Sequence, residues 1–229
     1  MNLKYTFSAH HPYQSPGTPV VFIVDADASV RDTLQALIRA AGWEACACAS
    51  AEEFLQQERA TTVSCLLVEL DLPGSSGLEL QRLVADRTDL PIIFMSARAD
   101  IQATVRAMKA GAFEFFTKPV VPEVLIDAIR GALERSETAL RQLTQIHALQ
   151  ERYESLSRRE REVMSLLVRG RLNKQVGGEL GISEITVKAH RGRMMRKMHA
   201  SSFAELVTMA GNLRVGLGAG VDFAAPLPS

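Results

Sequence analysis

The 229-residue sequence predicts an α/β domain built on a doubly wound parallel sheet, followed by a long helix and a small all-α domain. First, short β-branched or apolar runs alternate with stretches of helical period from Val20 onward, which is typical of a parallel sheet covered by helices. Second, the charge is uneven. From Ser155 onward there are 12 Lys or Arg and 6 Asp or Glu, a net charge of +6 (12 − 6), although the whole chain is neutral. A basic helical domain therefore follows a mildly acidic one.

The first domain is expected between residues 19 and 122. Its predicted strands are 20–24, 44–48, 65–68, 92–95 and 113–117, and the predicted helices between them are 29–41, 51–57, 77–86 and 99–110. The strands are short apolar runs, and the helices repeat apolar residues at a period of about 3.6. In such a (βα)5 domain, the chemistry lies outside the carboxyl ends of the strands.

A long helix without internal proline is predicted over residues 123–154 as a linker. Its apolar residues form a seam at Ile126, Ile129, Leu133, Leu140, Leu143, Ile146, Leu149, Tyr153 and Leu156. Ser136 interrupts this seam. Two interpretations are open: the seam pairs with a second copy and gives a homodimer, or it docks on its own domain.

The second domain is expected over residues 155–213. Ser157 and Glu160 form a capping-box pattern, Gly181 ends a helix, and Ser183 opens the next one after a short turn. This order is typical of a helix-turn-helix, whose second helix enters the major groove of DNA. The predicted packing face of that helix holds Ile185, Val187 or Ala189, Met194, Met195 and Met198. Double-stranded DNA is favoured over a membrane surface or an acidic protein as the partner.

The two ends and the cysteines indicate the setting of the chain. A disordered leader is predicted over residues 1–18 and a flexible tail over 214–229. No apolar run approaches 18 residues, so no membrane association is predicted. The three cysteines are too few for a disulfide framework, and an odd number suits a reducing compartment. A cytoplasmic protein is expected.

Polar side chains collect where the predicted strands end. Asp25 and Asp27 follow the first strand, and Glu69, Ser96 and Lys118 follow the third, fourth and fifth. Carboxylates are ligands that Mg²⁺ prefers, while lysine and serine can contact phosphate oxygens. The sequence therefore indicates a site of the phosphoryl-transfer type at one edge of the sheet.

Residues 20–120 resemble the receiver domain of bacterial two-component response regulators, a flavodoxin-like fold. The matching features are the acid after strand one, Pro73 and Gly77 after strand three, Ser96, and the segment MKAGAFEFFTKP. The resemblance implies a phosphate-accepting aspartate where this chain has Glu69, and a second acid where it has Ala26. It also implies a switch aromatic at Phe115 and a cis bond between Lys118 and Pro119.

The two departures predict that ordinary aspartyl phosphorylation is lost. Without an acid at Ala26, Asp25 and Glu69 would form a weak or absent magnesium site, so no cofactor is expected. The extra methylene of Glu69 displaces the acceptor carboxylate. Two interpretations stay open: Glu69 contacts Lys118 and Ser96 and mimics a phosphoryl charge, or the site has decayed to one salt bridge.

The second domain resembles the LuxR type, and the two together resemble NarL/FixJ-type response regulators over residues 19–213. The matching motifs are LSxRExEV at 156–163, NK at 173–174 and LGISxxTVKxHR at 180–191. The resemblance implies that Lys188, Ala189 and Gly192 face base edges. Phosphate contacts are expected from Lys174, Thr186, Arg191 and Arg196, and Arg193 completes the predicted DNA-binding set.

The predicted function is a DNA-binding transcriptional regulator that acts as a homodimer, without enzymatic activity and independently of aspartyl phosphorylation. One alternative is a phosphotransfer receiver that a sensor histidine kinase still phosphorylates in a two-component pathway. Another is a dimerising scaffold for a partner regulator.

Overall fold

The computed structural model describes residues 17–57, 62–98 and 101–216. Residues 1–16 and 217–229, which hold most of the predicted leader and tail, and the predicted helix start at 99–100 lie outside the described residues. The chain divides into two compact units, with the boundary between Gln142 and Leu143.

The first unit is a five-stranded sheet in the order β2-β1-β3-β4-β5, and every pair of neighbours is parallel. The strands are β1 Val20–Val24, β2 Glu44–Cys48, β3 Ser64–Glu69, β4 Ile92–Ser96 and β5 Glu114–Thr117. All six residues of β3 are buried because this strand lies at the centre with helices on both faces. The predicted doubly wound α/β fold is confirmed.

Helices cover both faces of this sheet. They are α1 Ala28–Ala40, α2 Ala51–Gln56, α3 Gly77–Leu83 and α4 Ile101–Lys109, followed by α5. One apolar cluster includes Phe22, Leu66 and Phe94, and the cluster on the opposite face includes Ile23 and Leu67. Successive residues of one strand thus enter opposite cores, as the two-residue period of a strand requires.

The long helix α5 runs over Pro122–Glu154. Ile129 and Leu133 are buried against the sheet, and Ile126 and Leu140 pack on the same cluster. From Ile126 to Leu140, the apolar seam therefore docks on its own domain, as the second interpretation states. The interrupting Ser136 has a structural reason: its buried hydroxyl donates to the Asp89 carbonyl at 2.6 Å and accepts from the Ser64 amide at 3.0 Å.

The second unit is all-helical. Its helices after the end of α5 are α6 Arg158–Val168, α7 Asn173–Leu180, α8 Glu184–Met198 and α9 Phe203–Gly216. The predicted capping box is present, since Ser157 Oγ accepts from Glu160 N while Glu160 Oε2 accepts from Ser157 N. The core includes Leu149, Leu156, Val163, Met164, Val176, Val187, Met194, Met198 and Leu206. Across the described ranges, no helix is long and apolar enough to cross a membrane.

Candidate functional site

Parallel pairing brings the predicted polar residues to one edge of the sheet. Asp25 follows β1, Glu69 ends β3, Ser96 ends β4 and Lys118 follows β5, and these strands are adjacent in the order β1-β3-β4-β5. Asp25, Glu69 and Ser96 are buried although all three are polar. Because a buried carboxylate is costly unless it is paired, the partners of Asp25 and Glu69 define what this site can do.

Lys118 is the shared partner of both carboxylates. Its Nζ lies 2.6 Å from Asp25 Oδ2 and also donates to Glu69 Oε2, so one ammonium joins the ends of β1 and β3. The lysine side chain is 22% exposed, against 3% for Asp25 and 10% for Glu69. Burial of the ammonium alone would lower the pKa of Lys118, but the hydrogen bonds and charges of the two carboxylates outweigh burial and raise it. Asp25, Glu69 and Lys118 therefore form a cluster of paired charges, which we call the charge triad.

Asp27 does not join this triad. It is exposed and caps α1, where its Oδ1 accepts from both the amide and the hydroxyl of Ser29 at 2.8 Å. These hydrogen bonds hold the pKa of Asp27 below its usual value. The Asp27 carboxylate therefore serves the helix start, as its position one residue after Ala26 suggests.

Arg31 is a second cation at this edge that the sequence did not indicate. Its Nη1 donates to the backbone carbonyl of Asp25 at 2.7 Å and to that of Ala26 at 2.9 Å. The guanidinium thus fixes the loop that carries Asp25. A lone arginine in the first turns of an amphipathic helix gives no sequence signal for such a contact.

Ser96 and Phe115 lie beside the triad without contacting its charges. Ser96 Oγ accepts from the Arg98 amide at 3.1 Å, and within the described residues no hydrogen bond joins Ser96 to Glu69. Phe115 packs on the first core cluster and stacks on Phe94, with ring centroids 6.1 Å apart. The expected contact of Glu69 with Lys118 is thus present, and its expected contact with Ser96 is not.

The donor set at this edge does not fit Mg²⁺. That ion demands near-octahedral oxygen geometry, but Ala26 offers no side-chain oxygen, Asp27 faces its own helix, and the ammonium of Lys118 already binds Asp25 and Glu69. In the described parts of the chain, no group of three or more His, Cys, Asp or Glu side chains could hold a metal ion. The Lys118–Pro119 peptide bond is cis, as the resemblance implies.

The second candidate surface lies on α8. Val187, Met194 and Met198 are buried in the core of the second unit. The exposed residues of the helix are Glu184, Ile185, Lys188, Ala189, Gly192, Arg193, Arg196 and Lys197. The prediction that Ile185 packs on the preceding helices is wrong, since it is 80% exposed, and Ala189 is exposed as well. At 3.6 residues per turn, Ile185 lies on the side of the helix opposite the buried Val187 and Met194.

Two predicted DNA-binding residues have partners inside the protein. The guanidinium of Arg191 lies 5.1 Å from the ring centroid of Phe203, and Thr186 Oγ1 is 2.8 Å from Ser183 Oγ at the helix cap. Both are half-buried, whereas Lys174 on α7 is exposed. Arg191 and Thr186 are therefore anchored at the edge of the exposed face.

An ion pair with one buried partner, Glu160, joins α8 to the start of α6. Lys197 Nζ lies 2.7 Å from Glu160 Oε2 and donates to the Ser155 carbonyl at 3.0 Å. Glu160 is 3% exposed, and its carboxylate takes part in both the capping box and this ion pair. The capping pattern revealed Glu160 in the sequence, but its contact with a residue 37 positions later had no sequence signal.

Comparison with known proteins agrees with these two units. Residues 21–130 match the response regulator receiver domain, and residues 154–210 match the luxR family of bacterial regulatory proteins. Nodulation protein W of Bradyrhizobium diazoefficiens is 43% identical over 86% of this chain and 87% of that protein. The chain belongs to the response regulators that carry a LuxR-type DNA-binding domain.

Other response regulators are similar over most of their length. Response regulator protein TodT of Pseudomonas putida is 40% identical over 93% of this chain and 95% of that protein. The solved structure of the response regulator StyR has 41% identity and a TM-score of 0.74 over 85% of this chain and 99% of that one. The receiver match ends within α5, so the first turns of this helix belong to the receiver domain.

Proposed function

We propose that this response regulator binds DNA and regulates transcription without aspartyl phosphorylation and without bound Mg²⁺. The observation that carries the proposal is the charge triad: Lys118 holds Asp25 and Glu69 together at the edge where the family places its phosphate-accepting aspartate. A receiver domain indicates a kinase partner, and in this proposal the kinase is not required for DNA binding.

The geometry argues against ordinary phosphorylation of Glu69. Its side chain is one methylene longer than aspartate, which moves the carboxylate by about 1 Å, and a misplacement of that size costs roughly a hundredfold in rate. The carboxylate is also engaged, because it accepts from Lys118 and, at 3.4 Å, from the Asp71 amide. The two oxygens have different partners, since Oε2 accepts from Lys118 and Oε1 from the Asp71 amide.

The same contacts suit a built-in negative charge. Two carboxylates and one ammonium leave the triad with a net charge of −1 (−1 − 1 + 1), in a site that already orients Lys118 toward β3. Phe115 is half-buried and stacks on Phe94, an inward position that suits an active receiver, although Ser96 does not contact Glu69. We therefore infer that Glu69 holds the receiver domain in its active arrangement.

The exposed apolar surface of the receiver domain supports a homodimer. On one face of α4, Ile101 is 78% exposed, Val105 45% and Met108 41%. Helical spacing of four and three residues places these side chains in one stripe. We propose that this stripe pairs two copies, so that two α8 helices reach two half-sites on double-stranded DNA.

A labelling experiment tests the proposal. The full chain is incubated with Mg²⁺ and radiolabelled acetyl phosphate, beside a response regulator that has the acceptor aspartate. We expect label on the control protein and none on this chain. Label on this chain that is lost in Glu69→Gln would contradict the proposal and favour the phosphotransfer alternative.

A further inference from the structure

The first turn of α8 presents an acid and a large apolar side chain beside the predicted base-reading lysine. Glu184 is the first residue of the helix and Ile185 the second. Ile185 is 80% exposed, more than any other large apolar residue in the described part of the chain. In a helix-turn-helix the N-terminal residues of the second helix contact base edges, so both side chains lie where sequence is read.

Helical spacing places them on the same face as Lys188. Residues 184, 188 and 192 form one row and residues 185 and 189 the adjacent row, and all five are exposed. Lys188 Nζ lies 3.0 Å from Glu184 Oε1, with 62% of the lysine and 45% of the glutamate side chain exposed. An exposed pair of this kind adds little stability, so either partner can leave it for a base at little cost.

A purely structural role explains only part of this arrangement. A glutamate at a helix start interacts favourably with the helix dipole, and single exposed apolar residues are common on protein surfaces. However, a carboxylate on the surface that approaches DNA phosphates lowers affinity for every sequence. A glutamate that makes a hydrogen bond with only one base converts that loss into discrimination between sequences.

We propose that Glu184 and Ile185 determine the operator sequence together with Lys188. Glu184 accepts a hydrogen bond from the N4 amino group of cytosine, Ile185 packs on a thymine methyl group, and Lys188 donates to guanine. Side chains one helical turn apart are separated by about 5–6 Å, and bases by about 3.4 Å along a strand, so Glu184 and Lys188 reach neighbouring base pairs. This inference rests on the proposed DNA-binding function.

The test begins with selection from random duplexes at fixed salt, using the wild-type full chain, three variants of α8 and two control variants. We expect Glu184→Ala to lose the preference for cytosine at one position and to bind unrelated DNA more tightly. Glu184→Gln should move that preference toward adenine, the base that glutamine reads. Ile185→Ala should lose the preference for thymine at another position. Wild-type sequence preference in Glu184→Ala and in Ile185→Ala would overturn the inference.

Two matched controls lie on the neighbouring helix and its cap. Glu179→Gln, on α7, removes a comparably exposed acid, and Leu172→Ala removes an apolar side chain that is 70% exposed. Both should select the wild-type sequence. If they lose the same base preferences as the α8 variants, the inference is wrong, because general surface effects would then explain the result.

A second measurement uses the unaltered protein. Replacing the selected thymine with deoxyuridine removes only its methyl group and should lower wild-type affinity about fourfold. Ile185→Ala should bind the two duplexes equally, and an unchanged wild-type affinity would overturn the role of Ile185. A wild-type chain that selects no sequence at all would refute the proposed function itself, which separates the two failures.

Discussion

At the carboxyl edge of the receiver sheet, Lys118 is 22% exposed and bonded to two buried carboxylates, whereas on α8 Lys188 is 62% exposed and bonded to one exposed carboxylate. Lys118 cannot leave its partners without leaving two buried carboxylates unpaired. Lys188 can exchange its partner for DNA at little cost. The paired buried charges of the receiver domain therefore fix the positions of the strand ends that they join. The exposed charges on α8 remain available to bind DNA.

Removing the central cation should give the largest effect. Lys118→Ala leaves Asp25 and Glu69 buried without their shared partner, which should cost the receiver domain about 3–5 kcal/mol in the free energy of unfolding. Urea unfolding followed by fluorescence of Trp43, the single tryptophan and a residue of this domain, measures the loss.

The control for this variant is Lys109→Ala, which removes an exposed lysine from α4. It should change stability by no more than about 0.5 kcal/mol. Equal losses in the two variants would contradict the idea that the triad holds buried charge.

The Glu160–Lys197 pair of the DNA-binding domain, in which only the glutamate is buried, should show a related effect that depends on pH. Burial alone would raise the pKa of Glu160, but hydrogen bonds from Lys197 and Ser157 outweigh burial and lower the pKa below the ordinary glutamate value of 4.5. The stabilisation is therefore present above pH 4.5 and is lost as the pH falls through the pKa of the folded state.

Glu160→Gln should cost roughly 1–2 kcal/mol at pH 7, because a charge-assisted hydrogen bond is lost while Lys197 stays open to water. The difference in stability between the variant and wild type should decrease in acid. Urea unfolding followed by circular dichroism at pH 7 and pH 3.5 measures this change. Glu179→Gln, an exposed control, should show no such pH dependence. If Glu160→Gln lowers the free energy of unfolding by the same amount at both pH values, the destabilisation comes from packing rather than from charge.

Changes on the exposed face of α8 should leave the fold intact and alter DNA binding. Lys188→Ala should weaken binding by about 1–3 kcal/mol and relax base preference. Arg196→Ala should weaken binding on all sequences and reduce the salt slope by about 1, as expected for a phosphate contact. Titrations on selected and unrelated duplexes at several salt concentrations distinguish the two, and equal losses on every duplex for both variants would contradict a base-reading Lys188.

The smallest effects should come from two adjacent glycines of α7. A Cβ on Gly177 would lie 2.7 Å from the Ile182 carbonyl oxygen, whereas one on Gly178 meets nothing within 4 Å. Gly177→Ala should therefore destabilise the domain by about 1–2 kcal/mol, and Gly178→Ala should stabilise it by up to about 1 kcal/mol. Thermal unfolding shows the sign, and stabilisation by both changes would contradict close packing of the turn on Gly177.

Much of the fold was predictable because its signals are local. Alternating apolar runs placed β1 and β2 at their observed bounds, and the capping pattern at Ser157 marked the start of α6. The misses involve contacts between distant residues. Ile185 is a different kind of miss: its apolar character predicts packing, but the helical period places it opposite the buried Val187, and its position on the helix decides its exposure.

The candidate site divides in the same way. Strand ends placed Asp25, Glu69 and Lys118 at one edge because parallel strands share their carboxyl ends. The sequence could not show that a single ammonium bonds both acids, nor that Arg31 holds the intervening loop. Those contacts depend on side-chain reach across the sheet, which spacing along the chain does not encode.

The most direct test of a built-in activating charge compares wild type with Glu69→Gln, which removes the charge and keeps the shape. DNA affinity and dimerisation are measured at fixed salt without a phosphodonor, with Glu44→Gln at the opposite edge of the sheet as control. We predict that wild type and Glu44→Gln bind as dimers, and that Glu69→Gln loses dimerisation together with at least about fivefold in affinity. Equal binding and dimerisation by all three proteins would contradict the account and mean that the triad does not control DNA binding.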